Sequence, residues 1–199
     1  PKPVSRVPRR HVRPIDERMR ADGSVHTPIT REDVEEQVRV LVADGIETLA
    51  VCFLHAHHNP EHERLAKSWI EERFPDLYVC TSSEVWPQQR EYERSLISVI
   101  NAYVGGRMKT YFHTLEQRTR DLGMTCRVFS TKSNGGVMGV ASAAERPVET
   151  LLSGPASGVI GAHYVARQIG DPDIVTVDMG GTSVDVSILQ NEIRYATEN

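Results

Sequence analysis

The densest group of chemistry-bearing residues is Asp178-Met179-Gly180-Gly181-Thr182-Ser183, set between two β-branched runs, Ile174 to Val177 and Val184 to Leu189. Two strands joined by a Gly-Gly-Thr turn make a hairpin whose tip carries little side-chain bulk. Bare glycines let main-chain N–H groups approach an anion closely, and the Thr182 and Ser183 hydroxyls add donors. Asp178, ending the first run, is placed to hold a hydrated Mg2+ that offsets phosphate charge. Asp185 lies within the second run, where a carboxylate needs a partner or a polar cleft. The same pattern also fits an ordinary tight hairpin.

Three other places carry candidate groups. Upstream, Leu151-Leu152-Ser153-Gly154-Pro155-Ala156-Ser157-Gly158-Val159-Ile160-Gly161-Ala162 predicts a helix opened by Pro155, with Ser153 as a capping residue and one face nearly bare. That face suits close packing on another backbone or on a ligand. His55, His57, His58, His62 and Glu63 follow an apolar run, at the strand end where α/β folds place ligands. They could bind a divalent metal or act in acid–base chemistry, but the spacing is not H-E-x-x-H, and His62 and Glu63 also suit a helix start. Asn134, Gly135 and Gly136 follow a strand-like run and fit either ligand contact or plain turn chemistry.

The elements that position these groups read as alternating helix and strand. Thr30 caps a helix whose face is Val34, Val38, Leu41 and Val42, and Gly45 closes it. Ile46 to Leu54 predicts a strand buried on both faces, followed by a helix from about Pro60 to Phe74 and a strand from Leu77 to Thr81. Short connections imply right-handed crossovers and parallel pairing. Residues 88–122 are the longest helical stretch, with Tyr92, Leu96, Val99, Ile100, Tyr103 and Val104 as an apolar stripe and Gly105-Gly106 as a predicted break. Cys126 to Ser130 predicts a strand, and an Ala-rich segment runs to about Glu145.

Composition narrows the class. The chain has 199 residues, 39% hydrophobic and 25% charged, with 14 Gly and 11 Pro, which excludes collagen-like and wholly disordered chains. Its net charge of −4 gives no global field for nucleic acid. No run reaches the roughly 18 apolar residues of a membrane-spanning helix, and the N-terminus has no apolar core of a signal peptide. Lys2, Arg6, Arg9, Arg10 and Arg13 form a basic N-terminal stretch, read as a solvated edge segment rather than an anion site. Cys52, Cys80 and Cys126 form no CxxC pair and read as small buried hydrophobes in a reducing, cytoplasmic setting. Pro1 and Asn199 give both ends the look of an excised segment.

Taken together, the words FLHAHHNPEHE (53–63), SSEVWPQQREYERS (82–95), VINAYV (99–104), SNGGVM (133–138), LLSGPASGVIGA (151–162) and DMGGTSVD (178–185) resemble the hydantoinase A, 5-oxoprolinase and acetone carboxylase β-subunit family. The resemblance implies an α/β fold: parts of an actin-like (ribonuclease H-like) ATPase fold, a mixed sheet with helices on both faces and a C-terminal β-hairpin. It implies residues 1–125 as the later part of the N-terminal domain and 126–199 as the start of the central one. An earlier glycine-rich phosphate loop and a downstream adenosine segment, which members carry, are not in these residues. The implied function is part of an ATP- and Mg-dependent enzyme that phosphorylates a cyclic amide before hydrolysis, with a hydantoinase B-type partner subunit or domain and an oligomeric full-length protein. Nucleic acid and membrane are not expected partners. The rivals are phosphorylation of a substrate for carboxylation, as in acetone carboxylase, and a non-catalytic truncated domain. Asp178 becomes the catalytic and metal-water residue, Gly180, Gly181, Thr182, Ser183, Ser153 and Gly154 the nucleotide contacts, and Asn134, Gly135, Arg94, His55 and His57 the substrate-cleft candidates. Ser157 stands where Gly is common in the family, and Val184 where Thr is common.

Overall fold

The computed structural model describes residues 7–193 and divides the chain into two compact units, Pro1–Tyr111 and Phe112–Asn199. Lys2 and Arg6 of the basic stretch lie outside the described residues.

In the first unit a short hairpin, β1 (Arg18–Met19) with β2 (Val25–Thr27), precedes α1 (Arg31–Ala43), β3 (Thr48–Val51), α2 (Glu61–Arg73), β4 (Tyr78–Thr81), the single turn α3 (Ser82–Val85) and the start of α4 (Glu91–Asp121). β3 and β4 pair in parallel, Thr48 opposite Tyr78 through Val51 opposite Thr81, as the crossover through α2 requires. Val34 and Val38 of α1, Ala66 and Ile70 of α2, and Val79 of β4 form the core with Ile29. Their i, i+4 spacing is what brings each helix's apolar stripe onto the sheet. Thr30 has the extended backbone of a cap, but its side chain makes no capping bond.

Three expectations change here. β3 is four residues long and half-buried throughout, whereas β4 is fully buried, so the doubly covered strand is β4. Cys52 to Leu54 leave the strand and turn into the histidine loop. The long helix is continuous through Gly105-Gly106. A Cβ on Gly105 would sit 2.1 Å from Cε1 of Tyr78, so this glycine admits a buried ring instead of breaking the helix. Finally, the expected apolar stripe of α4 is not its inner face. Tyr92 and Tyr103 are 76% and 81% exposed, while Arg94, Ser98, Asn101, Ala102 and Gly105 are buried.

The second unit begins within α4 and continues with the hairpin β5 (Phe129–Thr131) and β6 (Val137–Gly139), α5 (Val140–Glu145), a 3-10 turn (Pro147–Thr150), α6 (Ser153–Ile169), β7 (Ile174–Met179) and β8 (Val184–Leu189). β7 and β8 pair antiparallel, Ile174 opposite Leu189 through Met179 opposite Val184. The α/β character, the parallel pair and the C-terminal hairpin are all present. Among the described residues the strands pair as four two-stranded sheets, three of them antiparallel.

Candidate functional site

The C-terminal hairpin shows how its sequence forms a bare tip. Gly180 N donates to Ser183 O at 2.9 Å, closing the turn directly after the last strand pair. The amides of Gly181, Thr182 and Ser183 and the two hydroxyls have no partner among the described residues. A Cβ on Gly181 would meet nothing within 4 Å. The whole tip is exposed. Three open N–H groups and two hydroxyls on one turn are donors of the kind that phosphate oxygens accept.

The register puts Asp178 directly opposite Asp185, both exposed. Like charges facing across a strand pair repel, and a cation between them relieves that repulsion. Sequence reasoning left Asp185 without a role; the strand register is the signal that pairs it with Asp178. With no third acidic or imidazole group beside them, the donors present suit a cation that keeps most of its water. Among the described residues no group of three or more His, Cys, Asp or Glu side chains is arranged to hold a metal by itself.

α6 leads into β7 through Gly170–Asp173 and packs back on it, so it runs antiparallel to the strand. At about 1.5 Å per residue its length is comparable with that of the hairpin. The helix starts at Ser153 rather than Pro155, and its cap is Leu152 in left-handed backbone (φ 60°), with no side-chain capping bond. Ser153 instead accepts Ser157 Oγ at its carbonyl, 2.7 Å.

Asn134 and Gly135 serve this helix. Gly135 has φ +80°, and a Cβ there would lie 2.1 Å from Ile160 Cδ1 of α6. Asn134 Oδ1 accepts Gly136 N at 3.1 Å, an internal turn bond. Beside them Ser133 N donates to Glu149 O at 2.7 Å, and its hydroxyl donates to Glu149 O and Leu151 O. The β5–β6 turn thus fixes the chain entering α6, a role that the sequence words did not show.

The other candidates lie in the first unit, where a buried polar network joins the carboxyl ends of β3 and β4. Glu63 is fully buried; Oε1 accepts Phe53 N (2.8 Å) and Ser82 Oγ (2.6 Å), and Oε2 accepts Ser83 N (2.8 Å). Arg94 is 1% exposed and donates to Ser82 Oγ (2.9 Å), Gln88 O (2.9 Å) and Phe53 O (3.0 Å), while pairing with Glu91. Its donors are engaged with the protein itself, so this arginine holds main chain. His55 and His57 sit on the loop that the network pins, with ring centroids 6.3 Å apart, and His57 is 6.5 Å from His58. His62 is elsewhere: its Nδ1 lies 2.7 Å from Glu17 Oε2, both side chains buried. The histidine cluster is therefore split, His62 and Glu63 to the interior and the other three to the loop.

The thiols are all unpaired. Burial pushes Cys52 up to about 12 and Cys80 up to about 11. Cys126 departs from the expected burial and is exposed.

The chain is an α/β fold with a glycine-tipped hairpin and a small-residue helix leading into it, and sequence comparison specifies its family. The chain belongs to the Hydantoinase/oxoprolinase family, whose profile matches residues 94–199; the profile of the Hydantoinase/oxoprolinase N-terminal region matches residues 4–74. It is 34% identical to caprolactamase subunit alpha of Pseudomonas jessenii, over 92% of this chain and 26% of that protein. The crystal structure of the ATP-dependent caprolactamase from that organism superposes with a TM-score of 0.78 over 92% of this chain and 26% of that one. The nucleotide-free structure of acetone carboxylase gives a TM-score of 0.83 at 26% identity, over 93% of this chain and 26% of that one. The 5-oxoprolinase of Saccharomyces cerevisiae is 34% identical over 77% of this chain and 12% of its own length. The chain thus spans between 12% and 26% of the length of these relatives. No helix among the described residues is long and apolar enough to cross a membrane.

Proposed function

We propose that this chain is the segment of an ATP-dependent cyclic amidase that supplies one half of its phosphate clamp. The observation that carries the reading is the open Gly180–Ser183 tip, with free amides on one side of the Asp178–Asp185 pair. When bound, ATP supplies a transferable phosphoryl group that turns an amide oxygen into a leaving group. The tip amides and the Thr182 and Ser183 hydroxyls would take phosphate oxygens, and Asp178 with Asp185 would hold a hydrated Mg2+. The N-terminal turn of α6, at Ser153 and Gly154, would add a positive helix end to the nucleotide contacts. Fixed donors aimed at a transferring group lower its barrier by positioning and charge stabilisation, with no side-chain nucleophile required. The names of the relatives, subunits of caprolactamase and acetone carboxylase, support a partner subunit; our reading makes that partner hydantoinase B-type and the assembly cytoplasmic. We place the passage from N-terminal region to central domain at residues 125–126.

Amide NMR of the labelled chain tests this. Adding Mg2+ and ATP should shift Gly181, Thr182 and Ser183 weakly but saturably, and Asp178→Ala should remove the effect. No shift at the tip at millimolar nucleotide refutes the clamp. The structural likeness to acetone carboxylase favours a second reading, phosphorylation ahead of carboxylation. ADP release by a protein of the relatives' length carrying this segment separates the two: a cyclic amide drives it in the first, acetone plus bicarbonate in the second.

A further inference from the structure

The C-terminal hairpin has two faces, and the phosphate reading leaves one of them unused. Side chains alternate across a strand pair, so the register sorts them. Ile174, Thr176 and Asp178 share one face with their partners Leu189, Ser187 and Asp185. α6 packs on both strands, and Leu189 is buried while Ile174, Thr176 and Ser187 are half-buried, so this is the face that the helix covers. The outer face holds three cross-strand pairs, Val175–Ile188, Val177–Val186 and Met179–Val184. All six side chains are apolar, and each is 52–75% exposed. Direct cross-strand neighbours touch, so the patch runs unbroken from the base of the hairpin to its tip.

A solvated hairpin face does not have this composition, since an antiparallel strand covered on one side alternates apolar-in with polar-out. Monomers rarely expose a continuous apolar patch beyond about 300–600 Å2, and six side chains of this size at these exposures present roughly 600 Å2. Closing the face on an equal one removes about 1,200 Å2 from water, the lower bound of specific protein interfaces. The patch carries no charge and no hydrogen-bonding side chain, so it holds nothing that would select a charged or polar partner. For the same reason its burial leaves no polar side chain unpaired. Such a face is its own complement: a two-fold axis beneath the Val177–Val186 pair sets apolar rows against apolar rows. Two hairpins stacked this way form a two-layer sandwich about 10 Å thick, with the strand edges left to water.

We infer that this chain associates with a second copy of itself through the outer face of the β7–β8 hairpin, as a two-fold dimer. The assembly is independent of the phosphate reading, because Asp178 and Asp185 stay on the opposite face. Sedimentation velocity of the full chain tests it, in reducing buffer so that the exposed Cys126 forms no cross-link. The expected mass rises from one chain to two with concentration, with a dissociation constant on the order of 10 μM for an interface of this size. Val177→Lys puts one charge from each copy at the centre and should weaken association by about a hundredfold or more. Tyr164→Lys, at an equally exposed position on α6, should leave it unchanged. A single chain at every concentration, unaltered association of Val177→Lys, or growth past two copies through open strand edges overturns the inference. Should Val177→Lys not fold, Val177→Cys in a Cys126→Ser background decides: oxidation should join the two copies, and failure to do so overturns the dimer. The same Val177→Cys change can be made in a protein of the relatives' length carrying this segment. A thiol there that neither cross-links nor reacts with a thiol reagent would give the face to another part of that polypeptide, and overturns the inference as well.

Discussion

Replacing Glu63 with alanine should destabilise the first unit more than any other single truncation of a helix first-turn acid. The side chain is fully buried and accepts from two main-chain N–H groups and one hydroxyl. Its removal leaves Phe53 N, Ser83 N and Ser82 Oγ buried without that acceptor. An unsatisfied buried donor costs about 1–3 kcal/mol, so three of them, partly relieved by water entering the space, give about 3–6 kcal/mol. Ser82 Oγ also receives Arg94 Nε, so the loss reaches the arginine and lies in the range for breaking a buried charged network, about 3–5 kcal/mol. Glu63→Gln keeps one acceptor oxygen but turns an amide group toward an N–H, and should lose about half as much. Both tryptophans, Trp69 and Trp86, belong to the first unit, so urea unfolding followed by their fluorescence reads this unit selectively. A shift in midpoint at constant m-value corresponding to less than about 1 kcal/mol for Glu63→Ala would refute the reasoning, since it would mean that the network is replaceable by water.

Other outcomes follow from the same geometry. Gly105→Ala gains helix propensity of about 1 kcal/mol but drives a methyl into the Tyr78 ring, for a net loss of about 1–2 kcal/mol; Gly106→Ala, whose Cβ meets only Thr48 Cγ2 at 3.4 Å, should be neutral or stabilising by the same urea assay. In the native chain a thiol reagent at pH 8 should modify Cys126 rapidly and Cys52 and Cys80 only after unfolding, as counted by absorbance. Between the ordinary thiol value of 9.0 and about 11 to 12, the unfolded chain has released thiol protons that the folded chain still holds. Stability of the first unit therefore falls as pH rises through that window, and Cys80→Ser should flatten the fall. Gly135→Ala should loosen the seating of α6, seen as faster amide exchange at Ser153–Ser157, because both its φ and its contact with Ile160 forbid a side chain.

Much of the frame was legible because period and punctuation agree. α1, α2, β4 and the C-terminal hairpin follow from apolar spacing bounded by Gly, Pro and capping residues, and the structure places them within a residue or two. The glycine tip was legible because a turn of this kind demands those residue types. The inner face of α4 was not, because hydropathy assigns inside to Tyr and Leu, whereas this helix buries Arg94, Ser98 and Asn101 among polar partners distant in sequence. Glu63 escaped for the same reason: an acid in a helix's first turn looks like a solvated dipole partner until the strand ends that it grips are known. The Asp178–Asp185 pairing required the strand register, and the hold of Ser133 on Glu149 and Leu151 required the path of the chain into α6.

The inverted face of α4 has a consequence for anyone altering this protein. Substitution rules that protect aromatics and spend freely on serine and asparagine will fail along residues 91–105. Tyr92 and Tyr103 should accept lysine or glutamine with little loss, whereas Ser98→Leu would force a larger side chain into the buried place where the hydroxyl donates to Arg94 O, and Asn101→Leu would leave the Tyr78 hydroxyl facing the wrong neighbour. A library designed for solubility should therefore vary the tyrosines of this helix and leave its small polar residues untouched.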